Sequence, residues 1–218
     1  MIPMRSKFDE QLALMKNQLI QMGALCEEAI SLAAKALSDG DQALAEKVAP
    51  LGAEIGQMER DIENLCLKLL LQQQPVARDL RQISAALKII TDMERIGDQA
   101  SDIAEIILAM LSEGYLPEDV GHIRDMAAET IRMVTESVDS YVRQDTAQAG
   151  AVIAHDDVID RYFTQVRSVL IRTVVDNPAA GEHILDLLMI GKYLERIGDH
   201  AVNIGSWVIF SVTGAKSV

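Results

Sequence analysis

Ten residues that occur twice carry the chemistry of this chain. Glu94-Arg95-Ile96-Gly97-Asp98-Gln99-Ala100-Ser101-Asp102-Ile103 is followed 101 residues later by Glu195-Arg196-Ile197-Gly198-Asp199-His200-Ala201-Val202-Asn203-Ile204, and seven of the ten positions are identical. The offset is close to half of the 218 residues, so the match marks a tandem duplication. On a helix, Glu at i, Asp at i+4 and Asp or Asn at i+8 form a column that drifts by roughly 40° per step. Stacked oxygen side chains repel unless something positive stands among them. Hard cations such as Mg, Mn or Fe suit carboxylate and amide oxygens. A solvated acidic face is the plain alternative for one such column; the repetition of Glu, Arg, Gly and Asp in the same order favours cation binding.

The glycine between Glu and Asp costs about 1 kcal/mol against alanine inside a helix. Its expected use is the close approach of a neighbouring helix or a ligand. A second acidic pair, Asp156 and Asp160, repeats the i, i+4 spacing. The first-half positions at the same distance from the following proline fall near Gly52 and Gly56. The second half can therefore assemble Asp156, Asp160, Glu195, Asp199 and Asn203. The first half has Glu94, Asp98 and Asp102, plus whatever Glu54 or Glu59 adds. The second site is expected to be the richer one.

The remaining candidates are weaker. None of the four histidines (His122, His155, His183, His200) stands three residues after a glutamate, so the ligand pattern of di-iron bundles is missing. His155 and His200 neighbour the acids and are expected to be solvated. No phosphate-binding loop, dinucleotide fingerprint, nucleophile elbow or Cys-x-x-Cys occurs. Asp79 is simply favourable near a helix start, and Arg81 is expected at the surface.

The elements that must position these residues are helical. Hydrophobic residues make up 49% of the chain but aromatics only 4%, a Leu, Ile, Ala, Val and Met mix that suits packed helices. A net charge of −13 speaks against nucleic acid as partner, which needs a basic patch. Cys26 and Cys66 lie in apolar helical pattern and read as buried free thiols. No apolar run nears the ~20 residues of a membrane span, and the charged stretch Lys7–Leu14 is no signal peptide. The expected location is the cytoplasm.

Periodicity predicts a first helix over about 5–37, stopped at Gly40. A second runs from a cap at Asp41 to about Gln73, with a kink near Pro50 and Gly52, and breaks at Gln74-Pro75. A third covers about 78–111. Residues 114–117 are the clearest boundary, and Pro117 is placed to open a fourth helix that reaches about Arg143, with Glu118 and Asp119 in its first turn. A fifth starts at Asp145-Thr146 and ends near Val175 before Asp176-Asn177-Pro178, and a sixth covers about 180–212. On a wheel, Leu80, Ile83 and Leu87 share a side with Glu94 and Asp98, whereas Ile96, Ala100, Ile103 and Ile107 lie opposite. The apolar face is thus expected to change sides near residue 90. The fold class is all-α, six long helices in a tandem repeat of two antiparallel three-helix bundles, residues 1–113 and 114–218.

The paired Glu-Arg-Ile-Gly-Asp, with Gln74-Pro75-Val76-Ala77-Arg78-Asp79-Leu80-Arg81 before the first copy, resembles the PhoU family, the phosphate-specific transport system accessory proteins of bacteria. The resemblance runs from Phe8 to Phe210 and includes Met22-Gly23 and Tyr162. It implies a regulator and not an enzyme, one that represses the phosphate-starvation response and restrains high-affinity phosphate uptake. The implied partners are the phosphate ABC transporter, through its nucleotide-binding subunit, and a sensor histidine kinase. A cytoplasmic protein, often a homodimer, that meets the membrane through partners is implied too. So is metal at Glu94, Asp98, Asp102, Glu195, Asp199 and Asn203, with Asp156 and Asp160 matching family acids. Gly52 and Gly56 depart from the polar residues common there. Phosphate signalling rests on this resemblance alone. The rival readings are a metal-dependent, phosphohydrolase-like enzyme, a metal store, and a paralogue serving another transporter.

Overall fold

Asp41 and Asp145 start their helices in the same way. In the computed structural model, which describes residues 4–72, 76–117 and 120–215, both sit in extended backbone and accept from two amides of the following turn. Asp41 Oδ1 is 2.9 Å from the Ala43 nitrogen and Asp145 Oδ1 is 2.9 Å from that of Ala147, which satisfies donors that a helix start leaves orphaned. The elements are α1 (Met4–Asp39), a short α2 (Gln42–Ala45), α3 (Val48–Gln72), α4 (Ala77–Ser112), α5 (Gly121–Arg143), α6 (Thr146–Asp176), a one-turn 3-10 helix (Pro178–Ala180) and α7 (Gly181–Thr213). Gly40, which ends α1, has φ +66°, and a side chain there would also run into Leu116.

Two boundaries differ from expectation, and so do the apolar face of α4 and the setting of Arg81. The interruption after Asp41 falls at residues 46–47 and not at Pro50. Pro50 is the third residue of α3, within the first turn, where a missing N–H breaks no helical hydrogen bond. α5 begins at Gly121, so Pro117 stands ahead of it and does not open it; Glu118 and Asp119 lie outside the described residues, as does the Gln74-Pro75 break. The apolar face of α4 does not change sides. Ile83, Ala86, Ile90, Met93, Ile96, Ala100, Ile103, Ile107 and Met110 form one continuous buried stripe. Leu80 is exposed and Leu87 only half-buried; small residues such as Ala86 carry the stripe past them. Arg81 is half-buried against the backbone end of α7 at Gly214, not a free surface charge.

α1, α3 and α4 pack on one another, and so do α5, α6 and α7. The two bundles join where α4 lies along α7 and α1 along α5, and their buried residues form one continuous core. Tyr141, fully buried on α5, ties the halves by donating its hydroxyl to the Gln82 carbonyl at 2.8 Å. Cys26 and Cys66 are buried free thiols, Cys66 pushed up to about 12 by burial first and then by Glu63.

Candidate functional site

The second acidic cluster is built by α6 against α7. Gly198 faces Ile159 and Asp156: a Cβ there would lie 3.5 Å from Ile159 Cγ2 and 3.6 Å from Asp156 Oδ1. The glycine of the motif thus lets α6 come close and carry Asp156 to the Glu195–Asp199 face. The consequence is electrostatic. Burial, then the charges of Asp199, Asp160, Glu195 and Asp157, push Asp156 up to about 6. Asp199 is raised too, by burial first and then by Glu195, while Lys192 and His200 pull it back. Four carboxylates, Asp156, Asp160, Glu195 and Asp199, therefore feel one another where α6 packs on α7. Like charges so arranged favour protonation or a cation.

The first repeat is built differently. Gly97 again allows close approach, with a Cβ there only 3.0 Å from Ile55 Cδ1. Gly52 stands where the second repeat has Asp156, and a Cβ on it would meet Ser101 Oγ at 2.5 Å. Gly52 therefore admits Ser101 and supplies no ligand. The acid that does face Glu94 is Glu59, raised by burial and then by Glu94 and Glu63, with Arg60 opposing. Asp98 is exposed and held by Arg95 at 3.2 Å. This cluster has fewer facing carboxylates and more arginine.

The third members of the two columns turn elsewhere. Asp102 lies beside Tyr193, whose hydroxyl is raised by burial first and then by the Asp102 charge. Asn203 donates from Nδ2 to Asp92 Oδ1 at 3.3 Å. Asp92 also takes His200 Nδ1 at 2.9 Å, and Gln99 Nε2 stands 3.2 Å from His200 Nε2. These contacts pair early α4 with late α7 and the reverse, so the two helices run antiparallel. Beside them a groove of about 310 Å³ is lined by Arg95, Asp98, Gln99, Ser101, Asp102 and Arg196.

Both histidines expected to be solvated are engaged. His200 is held as above. His155 turns to α5, with Nε2 2.7 Å from Glu129 Oε2 and Nδ1 3.2 Å from Arg132 Nη2. Among the described residues, no three carboxylate, imidazole or thiol groups already close on a single point as a coordination shell. The donor chemistry of the α6–α7 cluster still fits a hard cation: four carboxylates, repelling one another, with no soft ligand among them.

The sequence profile of the PhoU domain matches residues 19–107 and again 123–208, one match for each repeat. The chain belongs to the PhoU family. It is 35% identical over 208 residues to a phosphate-specific transport system accessory protein PhoU homolog of Pseudomonas aeruginosa, covering 95% of this chain and 86% of that protein. It is 33% identical to the Clostridium acetobutylicum homolog of the same name, with 97% of each covered. The crystal structure of PhoU from Pseudomonas aeruginosa superposes with a TM-score of 0.90 at 35% identity, over 95% of this chain and all of that one. That of the phosphate transport system regulatory protein PhoU from Streptococcus pneumoniae gives 0.86 at 26% identity, over 97% and 99%.

Within this PhoU-family fold, Asp92, Gln99 and Tyr193 are the residues beside the acidic columns that sequence reasoning missed, whereas Glu59 is one of the two additions it expects for the first cluster. The other three had a signal in the numbering: Asp92 and Tyr193, like Gln99 and His200 or Asp102 and Asn203, occupy one repeat position. What the numbering lacks is the antiparallel crossing of α4 and α7 that makes these pairs meet.

Proposed function

We propose that this chain is a negative regulator of the phosphate-starvation response and of high-affinity phosphate uptake. It works as an adaptor between the nucleotide-binding subunit of the phosphate ABC transporter and a sensor histidine kinase. It is an accessory protein and not an enzyme. The observation that carries the reading is the near full-length match of both repeats to proteins named for that transport system. Among the described residues no helix is long and apolar enough to cross a membrane, so in this reading the chain reaches the membrane through its partners. The resemblance supports the kinase as second partner and a homodimer as the assembly.

Metal belongs to the same proposal. Asp156, Asp160, Glu195 and Asp199 would hold it in the second repeat, and Glu94 and Asp98, with Glu59, in the first. Bound metal supplies positive charge to two acidic clusters. Asp102 and Asn203 would tie each acidic column to the opposite repeat, so that a change at one cluster is felt across the α4–α7 seam.

The test is deletion of the gene in cells grown with abundant phosphate and carrying a phosphate-starvation reporter. The expected result is a reporter switched on, and restored repression by the wild-type chain. A silent reporter, with no paralogue present to cover the loss, would overturn the proposal.

A further inference from the structure

The second carboxylate cluster carries a cation of its own. Lys192 stands one turn before Glu195 on α7, and its ammonium contacts the Glu195 carboxylate. The same nitrogen lies 5.7 Å from the centre of the Phe163 ring on α6. Lys192 is thus placed by one partner from each helix that builds the cluster. The Glu195 side chain is 16% exposed and that of Lys192 45%, so the carboxylate is covered while the lysine keeps a way out to solvent. The Lys192 charge also favours the ionised form of Asp199. The counterpart of Lys192 in the first repeat is Thr91, whose hydroxyl donates to the Leu87 carbonyl of its own helix. The first cluster has arginines instead, Arg95 on Asp98 and Arg60 beside Glu59.

We propose that Lys192 is a tethered counter-ion that occupies Glu195 until a multivalent cation displaces it, and that it thereby keeps monovalent cations out of the second cluster. This deepens the metal reading given above and rests on it. A group held next to its partner acts at an effective concentration in the millimolar range or higher. Potassium or sodium brings the same single charge as the ammonium and gains nothing by replacing it. A divalent or trivalent ion interacts with each of the four carboxylates in proportion to its charge, so it wins despite the occupant. The flexible lysine stem lets the ammonium swing into water without moving α7. The cluster is then selective for charge at the cost of some affinity.

The experiment is calorimetric titration of Mn²⁺ into the full chain stripped with chelator. Wild type, Lys192→Met and Lys192→Arg are compared in choline chloride and in potassium chloride of the same ionic strength. Lys192→Met is expected to bind Mn²⁺ about tenfold more tightly in choline, and to lose much of that gain in potassium. Wild type and Lys192→Arg, which keeps the charge, are expected to respond equally to the two salts. Unchanged affinity and no potassium effect in Lys192→Met would overturn the proposal. So would weaker binding, which would make Lys192 a residue that positions Glu195. If no variant takes up Mn²⁺ while circular dichroism and thermal melting show all of them folded, the metal reading itself fails and this inference falls with it.

Discussion

Gln99 and His200 occupy the same position in the two copies of the repeat, and they meet each other, Nε2 to Nε2, at 3.2 Å. A residue touches its own counterpart only where a local two-fold axis passes, so this pair marks the axis between the repeats. The flanking contacts obey the same symmetry: Asp92 with Asn203 is the counterpart of Tyr193 with Asp102. The symmetry is broken in chemistry. His200 has a carboxylate beside it, Asp92, whereas the equivalent neighbour of Gln99 is the Tyr193 position.

That difference predicts the outcome of a swap. His200→Ala removes the nearer of two donors from Asp92, whose side chain is only 14% exposed, leaving Asn203 Nδ2 at 3.3 Å, and should cost about 1 kcal/mol in urea unfolding. Exchanging the two residues, Gln99→His with His200→Gln, keeps the composition of the seam. It should remain destabilised, because the histidine would then face the tyrosine end and not Asp92. Full recovery in the swapped protein would show that the seam is indifferent to which repeat holds the histidine.

Gly52 and Gly56 make a sharp pair of controls on α3. A Cβ at Gly52 would meet Ser101 Oγ at 2.5 Å, and the serine is held there by its bond to the Gly97 carbonyl. Gly52→Ala should therefore destabilise by about 1–3 kcal/mol despite the better helix propensity of alanine. Adding Ser101→Ala should restore wild-type stability or more, a coupling that a double-mutant cycle reads directly. Gly56 has only Arg60 Nη1 nearby, at 3.6 Å. Gly56→Ala should stabilise by about 0.5–1 kcal/mol.

These cases show what the sequence discloses. The duplication, the helix starts at Asp41 and at Asp145-Thr146 and the stop at Gly40 are signals carried in the sequence itself, and the structure has them at those positions, although Asp41 caps only the short α2. The apolar face of α4 was misread because Leu80 and Leu87 weigh more on a wheel than Ala86, although small side chains are what a tight helix contact buries. The two acidic clusters were legible as acids on neighbouring helices. The roles of Asp92, Tyr193 and Gln99 were not, because they arise from how two distant helices cross. Gly52 was read as a missing ligand; its other face, the room it gives Ser101, exists only after α3 and α4 have packed.

The unequal clusters predict unequal metal content. Glu195→Gln with Asp199→Asn removes two of the four facing carboxylates in the second repeat. It should abolish most of the manganese or iron retained after loading and desalting, measured by elemental analysis. Glu94→Gln with Asp98→Asn should remove less, since Asp98 is already engaged by Arg95. Equal losses from the two double variants would contradict this asymmetry.

The same crowding makes the metal-free protein sensitive to pH, and the sign follows from Asp156. Its folded carboxyl titrates at about 6, above the usual carboxylate value, chiefly through burial and then Asp199. Between pH 4 and 6 the unfolded chain gives up this proton while the folded chain keeps it. Stability from this group therefore falls as pH rises through that window, and the full penalty stands above pH 6. With solvent screening at a half-buried site the penalty is about 1 kcal/mol. Chelator-treated wild type should be less stable at pH 7.5 than at pH 5 through this group by about half of that margin, since pH 5 lies midway through the window. Asp156→Asn should lose this component of the slope and be the more stable of the two at pH 7.5. Added Mn²⁺ should flatten the wild-type profile in the same direction, because a bound cation favours the ionised carboxylate that the empty cluster resists. An Asp156→Asn protein with the wild-type slope would place the pH response elsewhere in the fold.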